Sequence, residues 1–121
     1  WWRDAVALGV ESDASLGWAR DVGFRGGFSR PYPAYDLHAE SALPLVIRPL
    51  AVMDTAMRVG LGWSSNEAQS HIETMMEVVE EVGGMWMSCW HNTSVSDEGE
   101  WKGWRATYVH MVEVARRLQG A

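Results

Sequence analysis

Apolar residues recur at helical spacing in the second half of the chain. Between residues 64 and 82 they return every three or four positions, which predicts an amphipathic helix. Ser64 and Glu67 have the spacing of a capping box, and Gly83 with Gly84 ends the pattern. A second apolar stripe, over residues 101–118, predicts another amphipathic helix near the C-terminus.

Shorter segments fill the remainder of the chain. Residues 2–8 are typical of a helix that stops at Gly9, and residues 10–12, 45–53 and 85–90 of strands. Pro49 requires a bulge or an edge position in the second strand, because proline has no N–H for a sheet ladder. Residues 19–44, with several glycines and prolines, lack a clear period and are expected to form a long irregular loop.

The order of these elements indicates a fold class. Helix, strand, loop, strand, helix, strand and helix follow one another, and such alternation is typical of α/β units around a mainly parallel sheet. The 121 residues suit one region with a single core. The chain begins Trp1-Trp2-Arg3, without Met, so we expect an N-terminal portion of the natural protein to precede it.

The composition of the chain argues against some classes of function. The net charge of −6 argues against a nucleic-acid-binding surface, which would need clustered Lys and Arg. No apolar run reaches the roughly 20 residues of a membrane-spanning helix. Cys89 is the one cysteine and cannot form an internal disulfide. The eight tryptophans suit either a large aromatic core or a surface that stacks on flat or ring-shaped ligands.

Each predicted strand runs into a polar residue. These residues are Asp13, Asp54 and His91. Functional groups of parallel α/β folds gather at the C-terminal ends of strands, so the three are expected on one rim, as in a hydrolase. The alternative is that the aspartates cap turns and that His91 is an ordinary histidine bonded to backbone.

Other candidates are weaker. Cys89 and His91 point to the same side of the predicted strand, but neighbouring residues offer no further metal ligands. His110 and Glu113 lie one turn apart on the last helix, where a solvated face is the simpler interpretation. Trp18 and Trp63 fall in loops and could contact a ligand, whereas most tryptophans are assigned to the core, with Trp104 and either Trp86 or Trp90 packed inside.

Several of these segments together resemble one branch of the polysaccharide deacetylases, the NodB-homology carbohydrate esterases. The similar stretches are LGVESDASLGWARDVGFRGGFSRPYPAYDL at 8–37, LVIRPLAVMD at 45–54, SCWHN at 88–92 and EWKGWR at 100–105. The resemblance implies the C-terminal part of a distorted (β/α) barrel with mainly parallel strands, over residues 1–121. It also implies a hydrolase that removes acetyl groups from a carbohydrate.

The same resemblance implies a cofactor. Family members hold a divalent metal, usually zinc, with one aspartate and two histidines, and a second aspartate is the general base. All four belong to N-terminal motifs that have no match here. The complete parent is therefore expected to use a divalent metal, whereas this chain alone is expected to hold none and to be inactive.

Individual residues can be assigned roles from the family motifs. His91 matches the histidine of the closing leucine-x-histidine motif, which acts as general acid or stabilises the leaving group, and Cys89 stands where the leucine lines the acetyl pocket. Asp13 matches an aspartate that supports the catalytic network. The substrate-binding candidates are Cys89, Trp18, Arg25 and Asp54.

Two other functions remain open. The chain could be a non-catalytic module that binds carbohydrate or a partner through exposed tryptophans, or a pseudo-enzyme whose metal ligands are lost. Half of a barrel would also expose sheet edges, which favours self-association.

Overall fold

Residues 1–120, which the computed structural model describes, form three α-helices and five short strands. In chain order these are α1 (Trp2–Ala7), β1 (Ser12–Asp13), β2 (Tyr32–Asp36), β3 (Ser41–Ile47), β4 (Val52–Met53), α2 (Ser65–Glu81), β5 (Ser88–Cys89) and α3 (Trp104–Leu118). A π-helical turn, Ala56–Gly60, follows β4, and a 3-10 turn, Gly99–Trp101, precedes α3.

The strands belong to two separate sheets. The first has the order β1-β3-β2, with β1 parallel and β2 antiparallel to β3. Ser12 lies opposite Val46 in the parallel pair, and the antiparallel pair has a bulge between Pro33 and Tyr35. The second sheet is the parallel pair β4-β5, with Met53 opposite Cys89. This second register places the ends of β4 and β5 side by side.

The expected barrel is wrong. The strands of residues 1–120 form sheets of three and two strands that do not close, and β2 runs antiparallel to its neighbour. The chain is therefore not part of a (β/α) barrel with mainly parallel strands. The alternation of elements suggested parallel pairing, which β1-β3 and β4-β5 show, but the division into two open sheets depends on contacts between distant segments, which the order of elements does not specify.

The fold prediction also failed in residues 19–44, which were expected to form an irregular loop. Their second half forms β2 and the beginning of β3, which together make an antiparallel hairpin. Asp36 accepts hydrogen bonds from the backbone amides of His38 (2.9 Å) and Ala39 (3.2 Å) in the turn. Alternate residues of the two strands are buried, so the hairpin has the period-two pattern of a strand, which its prolines and charges disguise.

The predicted strand over 45–53 is interrupted at Pro49. β3 ends at Ile47 and β4 begins at Val52. Between them, the amide of Leu50 donates to the carbonyl of Leu16 (3.2 Å), and the amide of Ala51 donates to that of Met87 (2.9 Å). The interruption lets one stretch of chain leave the first sheet and enter the second.

The two long helices were predicted correctly. α2 begins with a full capping box, in which Ser64 Oγ accepts from the Glu67 amide (3.2 Å) and Glu67 Oε1 accepts from the Ser64 amide (3.4 Å). Gly83 follows α2 with φ +66°, a left-handed conformation that suits glycine. α3 starts three residues later than expected, at Trp104, after Gly103 with φ +91°.

Two groups of buried side chains hold these elements together. The larger lies between α2, α3 and β4, and the smaller joins α1 to the first sheet. Trp101 and Trp104 meet edge to face in the larger core, with ring centroids 5.5 Å apart. The larger core includes Ala51, Val52, Met57, Ala68, Ile72, Met76, Met111 and Val114.

Within residues 1–120, none of the helices combines the length and apolarity that crossing a membrane requires.

Candidate acid–base site

Asp54 and His91 meet at the ends of the two strands of the second sheet. Asp54 directly follows β4, and His91 lies two residues beyond β5. Because β4 and β5 are parallel and Met53 faces Cys89, the segments that leave them start next to each other. Two of the three polar residues predicted at strand ends are thus in direct contact.

The contact is made through one ring nitrogen of His91. Its Nδ1 lies 2.8 Å from Oδ1 and 3.0 Å from Oδ2 of Asp54, and its backbone amide donates to Oδ2 at 2.7 Å. The side chain of Asp54 is 0% exposed, whereas that of His91 is 49% exposed. Nδ1 is therefore committed to the carboxylate, and Nε2 is the nitrogen that can exchange a proton with a bound molecule.

The carboxylate of Asp54 is held as an anion. Burial alone would raise its pKa, but hydrogen bonds from Ser94, from the amide and ring of His91 and from the Thr55 amide together lower the pKa below its ordinary value of 3.8. The Thr55 amide donates to Oδ1 at 2.6 Å, and the Ser94 hydroxyl donates to Oδ2. A buried carboxylate with this many donors can remain charged at neutral pH.

The loop after His91 is tied to the start of α3. The amide of Ser94 donates to the carbonyl of His91 (3.1 Å) and closes a turn. From α3, the guanidinium of Arg105 donates to the carbonyls of Val95 (2.9 Å) and Ser96 (2.8 Å). Gly103 N donates to a carboxylate oxygen of Asp97 at 2.7 Å. These bonds hold the turn that carries His91 and Ser94.

The aspartate, histidine and serine do not form a nucleophilic triad. Such a triad places the serine oxygen on the histidine nitrogen that faces away from the aspartate. Here Ser94 is 0% exposed, and its hydroxyl contacts Asp54 and the backbone carbonyl of His91. The arrangement can present an oriented imidazole for proton transfer, and Ser94 belongs to its support.

Cys89 lies beside this pair but is not set up as a nucleophile. Burial, and then the negative charge of Asp54, raise the pKa of its thiol. The thiolate is the reactive form of cysteine, so these surroundings favour the unreactive one. A thiol that lines a pocket, as the family resemblance implies, is compatible with this environment.

Asp13 has partners of its own in the first sheet. Its Oδ2 accepts from the indole of Trp2 (2.9 Å) and from that of Trp1 (3.4 Å), and its Oδ1 accepts from the Ser15 amide (2.8 Å). Burial would raise the pKa of Asp13, but the bonds from Ser15 and the two indoles lower it. These bonds do not join Asp13 to His91, so Asp54 is the carboxylate in contact with the histidine.

Trp18 and Trp63, the two tryptophans predicted in loops, differ in how accessible their rings are to a ligand. Trp18 is 44% exposed, and the guanidinium of Arg25 lies 5.1 Å from its ring centroid. Trp63 instead stacks on His71, with centroids 4.1 Å apart, and packs against the larger core. Trp18 with Arg25 is thus the better candidate for contact with a ligand.

Residues 1–120 do not bring together three His, Cys, Asp or Glu side chains that could hold a metal ion. His110, one of the weaker metal candidates, contacts Glu73 of α2 through Nε2 at 3.0 Å. Arg117 also donates to Glu73 (2.8 Å) and to Glu77 (3.1 Å), so this cluster links the two helices by ion pairs.

Ser94 and Arg105 were not among the residues singled out from the sequence. A serine three residues after the histidine is a weak turn signal, and nothing local connects it with Asp54, 40 residues earlier. Arg105 belongs to the EWKGWR segment, but its contact with the loop depends on where α3 packs.

The chain has no match among known proteins in three comparisons. No family model matches it, and neither a curated protein nor a solved structure does. None of the three comparisons supports the resemblance to deacetylases.

Proposed function

We propose that this chain contributes the acid–base histidine of a hydrolase that removes acetyl groups from a carbohydrate. The observation that carries the proposal is the contact between Asp54 and His91 Nδ1, at 2.8 Å, in which the carboxylate is buried and the ring is half exposed. A buried carboxylate that orients an accessible imidazole is a common arrangement for proton transfer. The choice of substrate rests on the family resemblance.

The role of His91 follows from the hydrolysis of an acetamide or an acetate ester. Water gives a proton to the general base that the resemblance assigns to the N-terminal motifs and adds to the acetyl carbon, the bond from that carbon to the sugar nitrogen or oxygen breaks, and acetate leaves. A protonated His91 gives its Nε2 proton to the leaving atom, and the ring then keeps its Nδ1 proton on Asp54. The carboxylate of Asp54 keeps the ring oriented for the transfer.

Residues around the pair supply the remaining proposed contacts. Cys89, as a thiol, would pack beside the acetyl methyl group, and Trp18 with Arg25 would contact the sugar. Activation of water is not assigned to residues 1–120, since they bring together no set of metal ligands. We therefore expect the chain to be inactive by itself and to act with metal-ligating motifs of a longer parent protein.

The test is acetate release from an acetylated chito-oligosaccharide by a parent protein that joins this chain to those motifs. His91→Ala should lower kcat/KM about 10²- to 10⁴-fold, the usual contribution of one general acid. His38→Ala is the matched control, because His38 is an exposed histidine of the β2–β3 turn, and it should leave the rate near that of the wild type. Equal turnover in the two variants would remove the role given to His91.

The second candidate function is a carbohydrate-binding module, and the exposed ring of Trp18 favours it. If the parent releases no acetate but the oligosaccharide quenches tryptophan fluorescence in the presence of a metal chelator, this function is the better one. Loss of the quenching in Trp18→Ala, with quenching retained in His91→Ala, would assign the binding surface.

A further inference from the structure

We propose that Ser94 is a positioning residue, whose hydrogen bond to Asp54 holds the neutral His91 ring in the tautomer with its proton on Nδ1. The inference rests on the acid–base role proposed for His91 and extends it to a residue that has no contact with substrate. Ser94 is 0% exposed, so it can act only through its neighbours.

The hydroxyl of Ser94 has two acceptors within reach but one proton. These acceptors are Oδ2 of Asp54 and the carbonyl oxygen of His91, the latter at 2.8 Å. The carbonyl already accepts from the Ser94 amide at 3.1 Å. Hydrogen bonds to a charged oxygen are roughly twice as strong as those to a neutral one. The hydroxyl proton therefore belongs to the carboxylate.

Three donors besides the imidazole then fix the carboxylate. The Thr55 amide donates to Oδ1 at 2.6 Å, and the amide of His91 at 2.7 Å and the hydroxyl of Ser94 both donate to Oδ2. With both oxygens held, the carboxylate cannot rotate away from Nδ1, which lies 2.8 and 3.0 Å from them. Only a protonated Nδ1 suits this place, because a lone pair there would face two anionic oxygens.

This support leaves Nε2 as the reacting nitrogen. If the Ser94 hydroxyl were lost, Oδ1 and Oδ2 would each keep one backbone donor, and the carboxylate would be held less firmly against rotation about its Cβ–Cγ bond. The ring would then be oriented less strictly, and the tautomer with its proton on Nε2 would gain population. Arg105 reinforces the effect, since its bonds to the carbonyls of Val95 and Ser96 hold the turn that presents Ser94.

Nitrogen-15 NMR of the whole chain with labelled histidine tests this directly. The shifts of the neutral His91 ring report which nitrogen carries the proton, and they can be read without any catalytic activity. The wild type should show the proton mainly on Nδ1. Ser94→Ala should lower the ratio of the Nδ1–H to the Nε2–H tautomer about fivefold, which corresponds to one net hydrogen bond.

Ser96→Ala is the matched control. Ser96 lies in the same turn, and its hydroxyl donates to the carbonyl of Thr93 at 2.6 Å without touching Asp54. The control should leave the tautomer ratio as in the wild type, and Ser94→Thr, which keeps the hydroxyl, should restore it. An unchanged ratio in a folded Ser94→Ala variant would overturn the proposal.

A variant that fails to fold does not end the test. Ser94→Cys keeps most of the volume with a weaker donor, and a wild-type ratio in it would also contradict the proposal. The wild-type spectrum alone can also overturn the proposal. A neutral His91 ring protonated mainly on Nε2 would exclude the assigned tautomer. The catalytic role of His91 is decided separately by acetate release, so the two proposals can fail independently.

Discussion

Asp54 is the residue on which the site depends most. It is fully buried, it follows β4, and it receives donors from Thr55, His91 and Ser94. A buried carboxylate costs free energy unless such donors satisfy it, and removal of the charge leaves those donors unmatched. The same carboxylate orients His91, and its charge adds to burial in raising the pKa of the Cys89 thiol.

We predict that Asp54→Asn lowers the free energy of unfolding at pH 7 by about 3 kcal/mol, because an amide cannot accept all of these bonds. The pKa of Asp54 is lowered in the fold, so its contribution is present above the ordinary value of 3.8 and is lost as the pH falls through the lower folded value. The stability difference between wild type and variant should therefore shrink as the pH falls from about 3.8 towards the lower folded pKa.

Urea unfolding followed by tryptophan fluorescence, repeated from pH 7 downward, measures this difference. Asp21→Asn is the control, because Asp21 is exposed and its carboxylate accepts a hydrogen bond from the neighbouring amide of Val22. The control should follow the wild type at every pH. If the difference in unfolding free energy between wild type and Asp54→Asn stays constant with pH, the pKa of Asp54 is not lowered in the fold.

At the scale of elements, helix ends and the break at Pro49 shape the fold. α2 begins where Ser64 and Glu67 satisfy each other's backbone amides, and it ends where Gly83 adopts a left-handed conformation. The break between β3 and β4 sends one stretch of chain from the first sheet to the second. That transfer brings Asp54 beside β5, since β4 pairs in parallel with β5.

We predict that Ser64→Ala destabilises the protein by about 1 kcal/mol, the usual cost of losing an N-cap side chain. The Glu67 amide, which now donates to Ser64 Oγ at 3.2 Å, would lose its partner. Ser70→Ala, an exposed change inside α2, should be neutral or slightly stabilising, because alanine is the better helix former. Thermal unfolding of both variants measures the effect, and equal midpoints would contradict a stabilising cap.

At the scale of the whole molecule, two groups of buried side chains support different parts. The larger packs α2 against α3 and reaches β4, so it supports the strand that leads into Asp54. The smaller joins α1 to the first sheet, where Asp13 holds the indoles of Trp1 and Trp2. The acid–base site therefore depends chiefly on the larger core.

We predict that Ile72→Ala, in the larger core, lowers the free energy of unfolding by about 2–5 kcal/mol, the cost of a cavity at a fully buried position. Val78→Ala on the same helix removes a side chain that is 53% exposed and should change stability by less than about 0.5 kcal/mol. Urea unfolding measures both. Similar losses in the two variants would mean that the buried face of α2 is assigned incorrectly.

Local patterns predicted the elements whose causes are local. α2 with its capping box and α3 with its apolar stripe were predicted correctly, because helix periodicity and caps involve residues within one or two turns. The β2–β3 hairpin was missed, since prolines and charges hid its alternation. The barrel was wrong, because contacts between distant segments divide the strands into two sheets that do not close.

The candidate site also depends partly on local sequence and partly on contacts between distant segments. The sequence by itself determined which chemical groups are present, which residues form most of α2 and α3, and which polar residues follow the strand segments. Each of these features depends on neighbours along the chain. Only the tertiary structure decided that Asp54 and not Asp13 contacts His91, and that Ser94 completes the support. Those contacts join residues about 40 positions apart, and strand register and side-chain packing set them.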